Sequence, residues 1–577
     1  MSDASFRRFP AGPLARRLPN LLDLVAGAIV LGALAYIATV ARGTLAPLSA
    51  PEAVAIHLDP RYLPGYAVRT TLRMFAALVC SLLFTFTYAT WAAKSRRAEM
   101  ILIPVLDVLQ SVPILGFLSF TVVFFMSLFP GRVLGAEFAA IFAVFTGQAW
   151  NMAFSLYQSL KSVPGDLAEA ASSLRLSGWQ RFWRLEVPFA TPGLVWNMMM
   201  SMSGGWFFVV AAEAISVGDT TWKLPGIGSY VALALEQRNL AAVGWAILAM
   251  LAVILLYDQL LFRPLVAWSA KFRFETTPGA VAQDPWMLKL LRRTRALRFM
   301  ADGLGEALGW LGGRKLQQRA RARRGGAKPS RAGDGVFFAV LLAVSGVGLW
   351  KIGQLAAASL TMGDVLTALR YGVYTLIRVV VLISIATLIW VPIGVWLGLN
   401  PVMARRAQPI AQFAAAFPAN LFFPVFVVAI VHWHLNVDIW LTPLMILGTQ
   451  WYILFNVVAG ASAFPGDMQE AARNFQVRGW LWWRRIILPG IFSYYVTGAI
   501  TASGGSWNAA IVSEVAVWGT TKLQAHGLGA YIAEATEAGN TPRIVLGVVV
   551  MSLFVVAFNR LLWRPLYAYA NRRLSLG

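Results

Sequence analysis

Few residues of this 577-residue chain are equipped for chemistry. No G-x-x-x-x-G-K-S/T phosphate loop occurs, so the chain cannot hydrolyse ATP by the usual machinery. Cys80 is the only cysteine and lies in an apolar run, which excludes an intrachain disulfide and a cysteine-based metal site. His57, His432, His434 and His526 are too scattered for a zinc cluster. His432 and His434, on either side of Trp433, fit an interfacial belt more simply than an ion site. What remains are polar and ionisable residues inside long apolar runs, which are functional candidates by default. Met202, Trp206, Val209 and Glu213 fall on one helical stripe, as do Ser503, Trp507, Ala510 and Glu514. With Ser203 they are candidates for a solute pathway. Gln148, Trp150 and Asn151, together with Gln450 and Trp451, make a second polar stripe. Glu213 and Glu514 have an equal competing reading as structural carboxylates at the outer helix end, hydrogen-bonded to the next loop.

A second group suits binding rather than catalysis. Glu169-Ala170-Ala171, Gly178, Trp179 and Pro188 return 301 residues later as Glu470-Ala471-Ala472, Gly479, Trp480 and Pro489. Both copies are short, basic and amphipathic. Pro164 suits the first turn of a helix, Asp166 its cap, and Glu169 follows three residues later, as in a capping box. The paired alanines allow close approach by a neighbour. Trp179, Phe182 and Trp183 supply an apolar face, and Arg175, Arg181 and Arg184 supply charge. Pro188 then begins the next span, where proline is tolerated. One copy alone would read as a helix lying on headgroups. Two copies at matching positions point to docking of a cytosolic partner.

These residues need a membrane scaffold. The chain is 58% hydrophobic and 13% charged, a polytopic membrane composition. Its net charge of +23 is gathered between apolar runs, which marks cytoplasmic loops rather than a nucleic-acid surface. Runs long enough to span fall near 21–40, 67–93, 101–129, 138–160, 188–215 and 240–265. The second half repeats them near 336–358, 371–398, 409–434, 439–460, 489–515 and 543–566, giving about twelve transmembrane helices. Pro113 and Pro418 are expected to break the third and ninth spans, where an extended segment would form a gate. Lys94, Arg96, Arg97, Arg405, Arg406, Arg484, Arg485, Arg572 and Arg573 agree on one orientation, with both termini cytoplasmic. The expected division is a first repeat over 1–266, a basic cytoplasmic linker over 267–335 and a second repeat over 336–577. The linker suits a tether on the anionic inner leaflet, with regulation as the alternative.

The halves match beyond the docking segment. Trp150 answers to Trp451, Ser203-Gly204-Gly205 to Ser503-Gly504-Gly505, Glu213 to Glu514, Gly226-Ile227-Gly228 to Gly527-Leu528-Gly529, and Arg263-Pro264-Leu265 to Arg564-Pro565-Leu566. Even numbers of spans per half make the repeats parallel, with a pathway at their interface.

The docking segment resembles the EAA motif of ATP-binding-cassette importer permeases. Ala212-Glu213, the Gly-Ile-Gly and Asp258-Gln259-Leu260 are similar to the nitrate, taurine and sulfonate branch; Ser513-Glu514, Gly-Leu-Gly and Asn559-Arg560-Leu561 are a looser match. That resemblance implies an all-α fold like a type I importer permease, in which the segment is a coupling helix seated in a groove of a nucleotide-binding subunit. It implies two such ATPase subunits, which hold the ATP and magnesium, and an extracytoplasmic binding protein that delivers a small anion of the nitrate, sulfonate, taurine or bicarbonate kind. This chain itself would bind no cofactor and be no enzyme, in the cytoplasmic membrane of a bacterium. One departure stands out. Where the family has glycine, six residues after the glutamate, this chain has Arg175 and Gln476. The turn has therefore moved by a few residues, or a non-glycine residue makes it under strain. The rival to the importer is a secondary transporter with two parallel six-helix repeats, which would need coupling carboxylates deep in several spans.

Overall fold

The computed structural model describes residues 55–272 and 360–573, apart from 113, 218, 219, 463, 465, 519 and 520, together with isolated positions of the N-terminal arm and central segment. The spans expected near 21–40 and 336–358, most of the linker, and Pro113 lie outside the described residues. Packing divides the chain into two units. Ser162–Pro192 belongs to the smaller; Gly193–Asp258 and the described second half belong to the larger.

The first half runs Leu63–Lys94 (α1), Arg96–Ser111 (α2), Ile114–Leu128 (α3), Val133–Lys161 (α4), Gly165–Ser173 (α5), Gly178–Arg181 (α6) and Val187–Glu213 (α7). It continues through the strands Ala214–Val217 (β1) and Thr220–Lys223 (β2) to Ile227–Glu236 (α8), Leu240–Tyr257 (α9) and Arg263–Ser269 (α10). The second half runs Met362–Leu399 (α11), Pro401–Ala416 (α12), Phe423–His432 (α13), Val437–Trp440 (α14), Trp451–Ser462 (α15), Gly466–Asn474 (α16), Gly479–Trp482 (α17) and Leu488–Ser513 (α18). Val515–Trp518 (β3) and Thr521–Gln524 (β4) lead to Leu528–Glu537 (α19), Thr541–Phe558 (α20) and Arg564–Arg573 (α21). Among the described residues the fold is all-α but for two short antiparallel ribbons, one per repeat, which no alternation in the sequence announced.

Among the described residues seven helices are long and apolar enough to cross a membrane, or eight if a pair bent by 79° counts as one span. That bent pair breaks at Pro418, where Phe417 and Pro418 are extended. Two further expected spans are not single helices. The run near 101–129 is divided between α2 and α3. The run near 439–460 breaks into α14, the 3-10 turn Thr442–Met445 and α15, although its counterpart α4 is one helix of 29 residues. Pro443 stands where α4 has Phe142, and proline removes an N–H and crowds the preceding turn.

Proline is handled differently at four other places. The π-helical turns Phe182–Glu186, Asp258–Phe262, Trp483–Ile487 and Asn559–Trp563 each end two residues before Pro188, Pro264, Pro489 or Pro565. The N–H of Val187 donates to the Phe182 carbonyl and that of Leu488 to the Trp483 carbonyl, five residues back. The wider turn admits the ring without stopping the helix. Pro188 and Pro489 therefore do not begin their spans. The helical runs begin at Gly178 and Gly479.

Small residues set the helix spacing. Ala77, Ala89 and Ala92 of α1 and Ala139, Ala140 and Ala143 of α4 are fully buried, as membrane helix pairs require for close approach. A Cβ on Gly398 of α11 would lie 2.5 Å from Ala461 Cβ and 2.7 Å from the Val458 carbonyl of α15. Because α7 and α18 are unbroken, the 301-residue register of Trp206 with Trp507 holds throughout them and matches Gly204 with Gly505. The apparent Ser-Gly-Gly equivalence is one residue out. Upstream, the register is 305 residues, since Thr70 and Arg73 match Thr375 and Arg378.

Gly398→Ala is expected to destabilise the purified protein by about 1–3 kcal/mol through overpacking. Gly244→Ala, whose Cβ would meet nothing within 4 Å, should leave the melting temperature unchanged or higher. Thermal unfolding in detergent checks both; equal losses would refute the packing argument.

Candidate functional site

The two Glu-Ala-Ala segments are built alike. In the smaller unit, α5 ends with the Leu176 N–H donating to the Ala171 carbonyl at 3.1 Å and the Arg175 N–H to the Ser172 carbonyl at 3.0 Å. In the larger unit, α16 ends with Val477 donating to Ala472 at 2.9 Å and Gln476 to Arg473 at 3.0 Å. Both are Schellman caps. The residue in the left-handed position is Arg175 in one, with φ 50°, and Gln476 in the other, with φ 51°. So the turn has not moved: non-glycine residues make it. Glu169 and Ala170 are exposed and Ala171 is buried; Glu470, Ala471 and Ala472 repeat that pattern. One alanine of each pair faces outward, and the other closes the turn. Asp166 is not the cap: Pro164 occupies that position with no side-chain hydrogen bond. The capping box lies at the second short helix, between Ser177 and Gln180, and its counterpart Arg478 caps nothing. Gly178 and Gly479 open α6 and α17, and Gly479 has φ 60°. Trp179 is partly buried, whereas Trp480 is 72% exposed.

The intramembrane glutamates belong to buried charge clusters. Arg73 of α1 donates to both oxygens of Glu137 at 2.6 and 2.7 Å, and to Glu213 at 2.6 Å. The other Glu213 oxygen accepts the Gly228 N–H at 2.7 Å, and Thr70 accepts the Ile227 N–H at 3.0 Å. A Cβ on Gly226 would lie 2.3 Å from the Glu213 carboxylate. The Gly-Ile-Gly segment is thus a cradle for a carboxylate. In the second repeat Arg378 donates to Glu514 at 3.0 Å and to Asp438 at 2.9 Å; Thr375 donates to Glu514 at 2.8 Å, and Ala530 donates to it at 3.1 Å. A Cβ on Gly527 would lie 2.2 Å from that carboxylate. This copy is open on one side. The His526 backbone N–H donates to Asp438 at 2.6 Å, and its ring lies 2.9 Å from the other oxygen. Burial pushes the Asp438 carboxyl up, but the His526 hydrogen bonds and the Arg378 charge outweigh it and hold it below its ordinary value.

The pathway candidates scatter. Trp206, Trp507, Glu213 and Glu514 are buried in protein, and Ser503 nearly so. Gln148 is wholly buried, with its amide nitrogen 3.3 Å from the Met74 sulfur and 3.0 Å from that of Met202. Gln450 accepts from the Trp390 ring at 3.0 Å, and Trp451 donates to the Leu447 carbonyl. Trp150 and Asn151 line one cavity and Ser203 another, both between the repeats. Sequence reasoning missed Arg73, Glu137, Arg378 and Asp438. The signal was there in Thr-x-x-Arg, which recurs inside two apolar runs, but at a different spacing from the rest.

Two helical repeats in one chain, each with an exposed Glu-Ala turn and a buried charge cluster, are the architecture of a polytopic membrane protein. Residues 76–263 and 390–575 both match the family described as binding-protein-dependent transport system inner membrane component, and the chain belongs to that family. It is 27% identical over 175 residues to the bicarbonate transport system permease protein CmpB of Synechococcus elongatus, covering 30% of this chain and 60% of that one. It is 23% identical over 184 residues to the nitrate import permease protein NrtB of Leptolyngbya laminosa, covering 32% and 62%. It is 27% identical over 191 residues to the glycine betaine/carnitine transport permease protein GbuB of Listeria monocytogenes, covering 33% and 62%.

Two predictions follow from the geometry. Arg175→Gly and Gln476→Gly should each raise stability by about 1 kcal/mol, since glycine is free of the left-handed penalty; a lower melting temperature would refute this. Arg73→Met strands two buried carboxylates and should cost about 3–5 kcal/mol. Combining it with Glu137→Gln and Glu213→Gln should recover part of that loss in the same thermal assay, and no recovery would refute the charge argument.

Proposed function

We propose that the chain is the permease subunit of an ATP-driven importer, forming the route by which a small anion of the nitrate or bicarbonate kind crosses the cytoplasmic membrane of a bacterium. The observation that carries this is the pair of docking segments, which share one turn geometry and one exposed Glu-Ala face. Each receives a nucleotide-binding subunit, where ATP and magnesium are held and hydrolysed. A binding protein on the outer side delivers the solute, and both termini face the cytosol. Both copies come from one chain, over the two repeats 1–266 and 336–577 joined by the basic linker. The solute class is supported by the bicarbonate and nitrate transport named in two of the relatives. A secondary transporter is less well supported: Glu213 and Glu514, the carboxylates it would titrate, are tied to Arg73 and Arg378.

Docking is tested by placing bulk on the exposed alanines. Ala170→Trp with Ala471→Trp should cut ATPase stimulation and uptake at least tenfold in a complex reconstituted with its ATPase subunits and binding protein, while membrane insertion stays normal. Unchanged stimulation would refute the docking role, and uptake driven by an ion gradient without ATPase subunits would refute the importer.

A further inference from the structure

The two repeats meet across α7 and α18 through a pseudosymmetric exchange. The Ile114 N–H, at the start of α3, donates to the Asn508 side chain at 2.6 Å. In return the Asn420 side chain, at the break before α13, donates to the Phe207 carbonyl at 3.3 Å. Phe207 and Asn508 are equivalent positions. The broken span of each half thus grips the penultimate helix of the other. Two cavities lie along this seam, of about 110 and 70 Å³. Both are lined by Gly204, Phe208, Tyr452 and Gly505, so these four residues form the partition between them. A Cβ on Gly204 would lie 3.2 Å from the Tyr452 hydroxyl. The glycine is what lets the phenol reach across.

The larger cavity is uncharged and carries neutral polar groups. Gln110, Asn151, Thr146 and Thr501 line it, and among the described residues no Asp, Glu, Lys, Arg or His does. Ser201 also lines it, only 3% exposed, and its buried hydroxyl has no hydrogen-bond partner among the described residues. An unsatisfied buried hydroxyl costs free energy unless something occupies the cavity and accepts from it. Neutral donors suit a transit site, because a fixed cation would hold an anion too long to release it.

We propose that Tyr452 is the closing residue of an uncharged solute chamber between the repeats, and that Ser201 donates there to a small solute rich in oxygen acceptors. This rests on the permease reading, but its test needs no ATPase. The full chain carrying Cys80→Ser and Ser201→Cys is placed in liposomes and treated with the anionic thiol reagent 2-sulfonatoethyl methanethiosulfonate. Adding Tyr452→Ala should speed labelling at least tenfold. Gln237→Cys, exposed in the turn after α8, should be labelled at the same rate with or without it. Nitrate or bicarbonate should slow labelling of Ser201→Cys in the opened protein. An unchanged rate at position 201, or an equal rise at position 237, overturns the gate; failure of both anions to protect overturns the role of Ser201. If Tyr452→Ala does not fold, Phe208→Ala opens the same partition and is judged by the same outcomes. Loss of ATP-driven uptake in the reconstituted complex is a separate result that bears on the importer alone.

Discussion

In each repeat a single guanidinium holds three elements together. Arg73 joins α1 to the start of α4 through Glu137 and to the end of α7 through Glu213. Arg378 joins α11 to Asp438 of α14 and to Glu514 at the end of α18. Charges removed from water are tolerable only when paired and hydrogen-bonded, so these elements cannot drift apart without exposing an unpaired charge to an apolar surrounding. The Gly-x-Gly cradle, the ribbon that returns the chain to it, and the threonine beside it all follow from completing the same carboxylate's shell. The two copies differ in how far water reaches them. Glu137 is buried, whereas Asp438 meets His526 at the surface.

The same requirement acts on the backbone. In an apolar surrounding every N–H and carbonyl needs a partner within the protein. Four prolines are absorbed by π-helical turns that keep the helix running, and Pro418 instead gives a bend. The outcome depends on what surrounds the ring. Before Pro188 and Pro489 the helix runs on without a stop from α6 and α17. Where the two repeats meet, it breaks, and the freed segment crosses to the other half.

The turns that close α5 and α16 show the opposite case, strain kept at an exposed site. Arg175 and Gln476 sit where glycine would be comfortable, and the Schellman hydrogen bonds hold them there. That both copies do so makes the turn geometry, not the residue, the shared feature.

The sequence by itself determined the class: an apolar polytopic chain, two repeats, and a Glu-Ala-Ala segment recurring in each, because composition, span length and a long exact spacing need no knowledge of contacts. It also singled out Glu213 and Glu514, which repeat at the same 301-residue spacing, while Arg73 and Arg378, at a spacing of 305, went unnoticed in the same kind of run. Only the tertiary structure decided what they do. Arg73 and Glu137 are 64 residues apart in the chain, and Arg73 and Glu213 are 140 apart, so no local pattern pairs them. The same holds for Tyr452 of α15 and Gly204 of α7, which meet across the two repeats, and for the ribbons, whose short strands carry no periodicity of their own. Local propensity settles which segments are helical. Which polar groups satisfy one another is settled by packing across the chain, because the partners come from segments far apart in sequence.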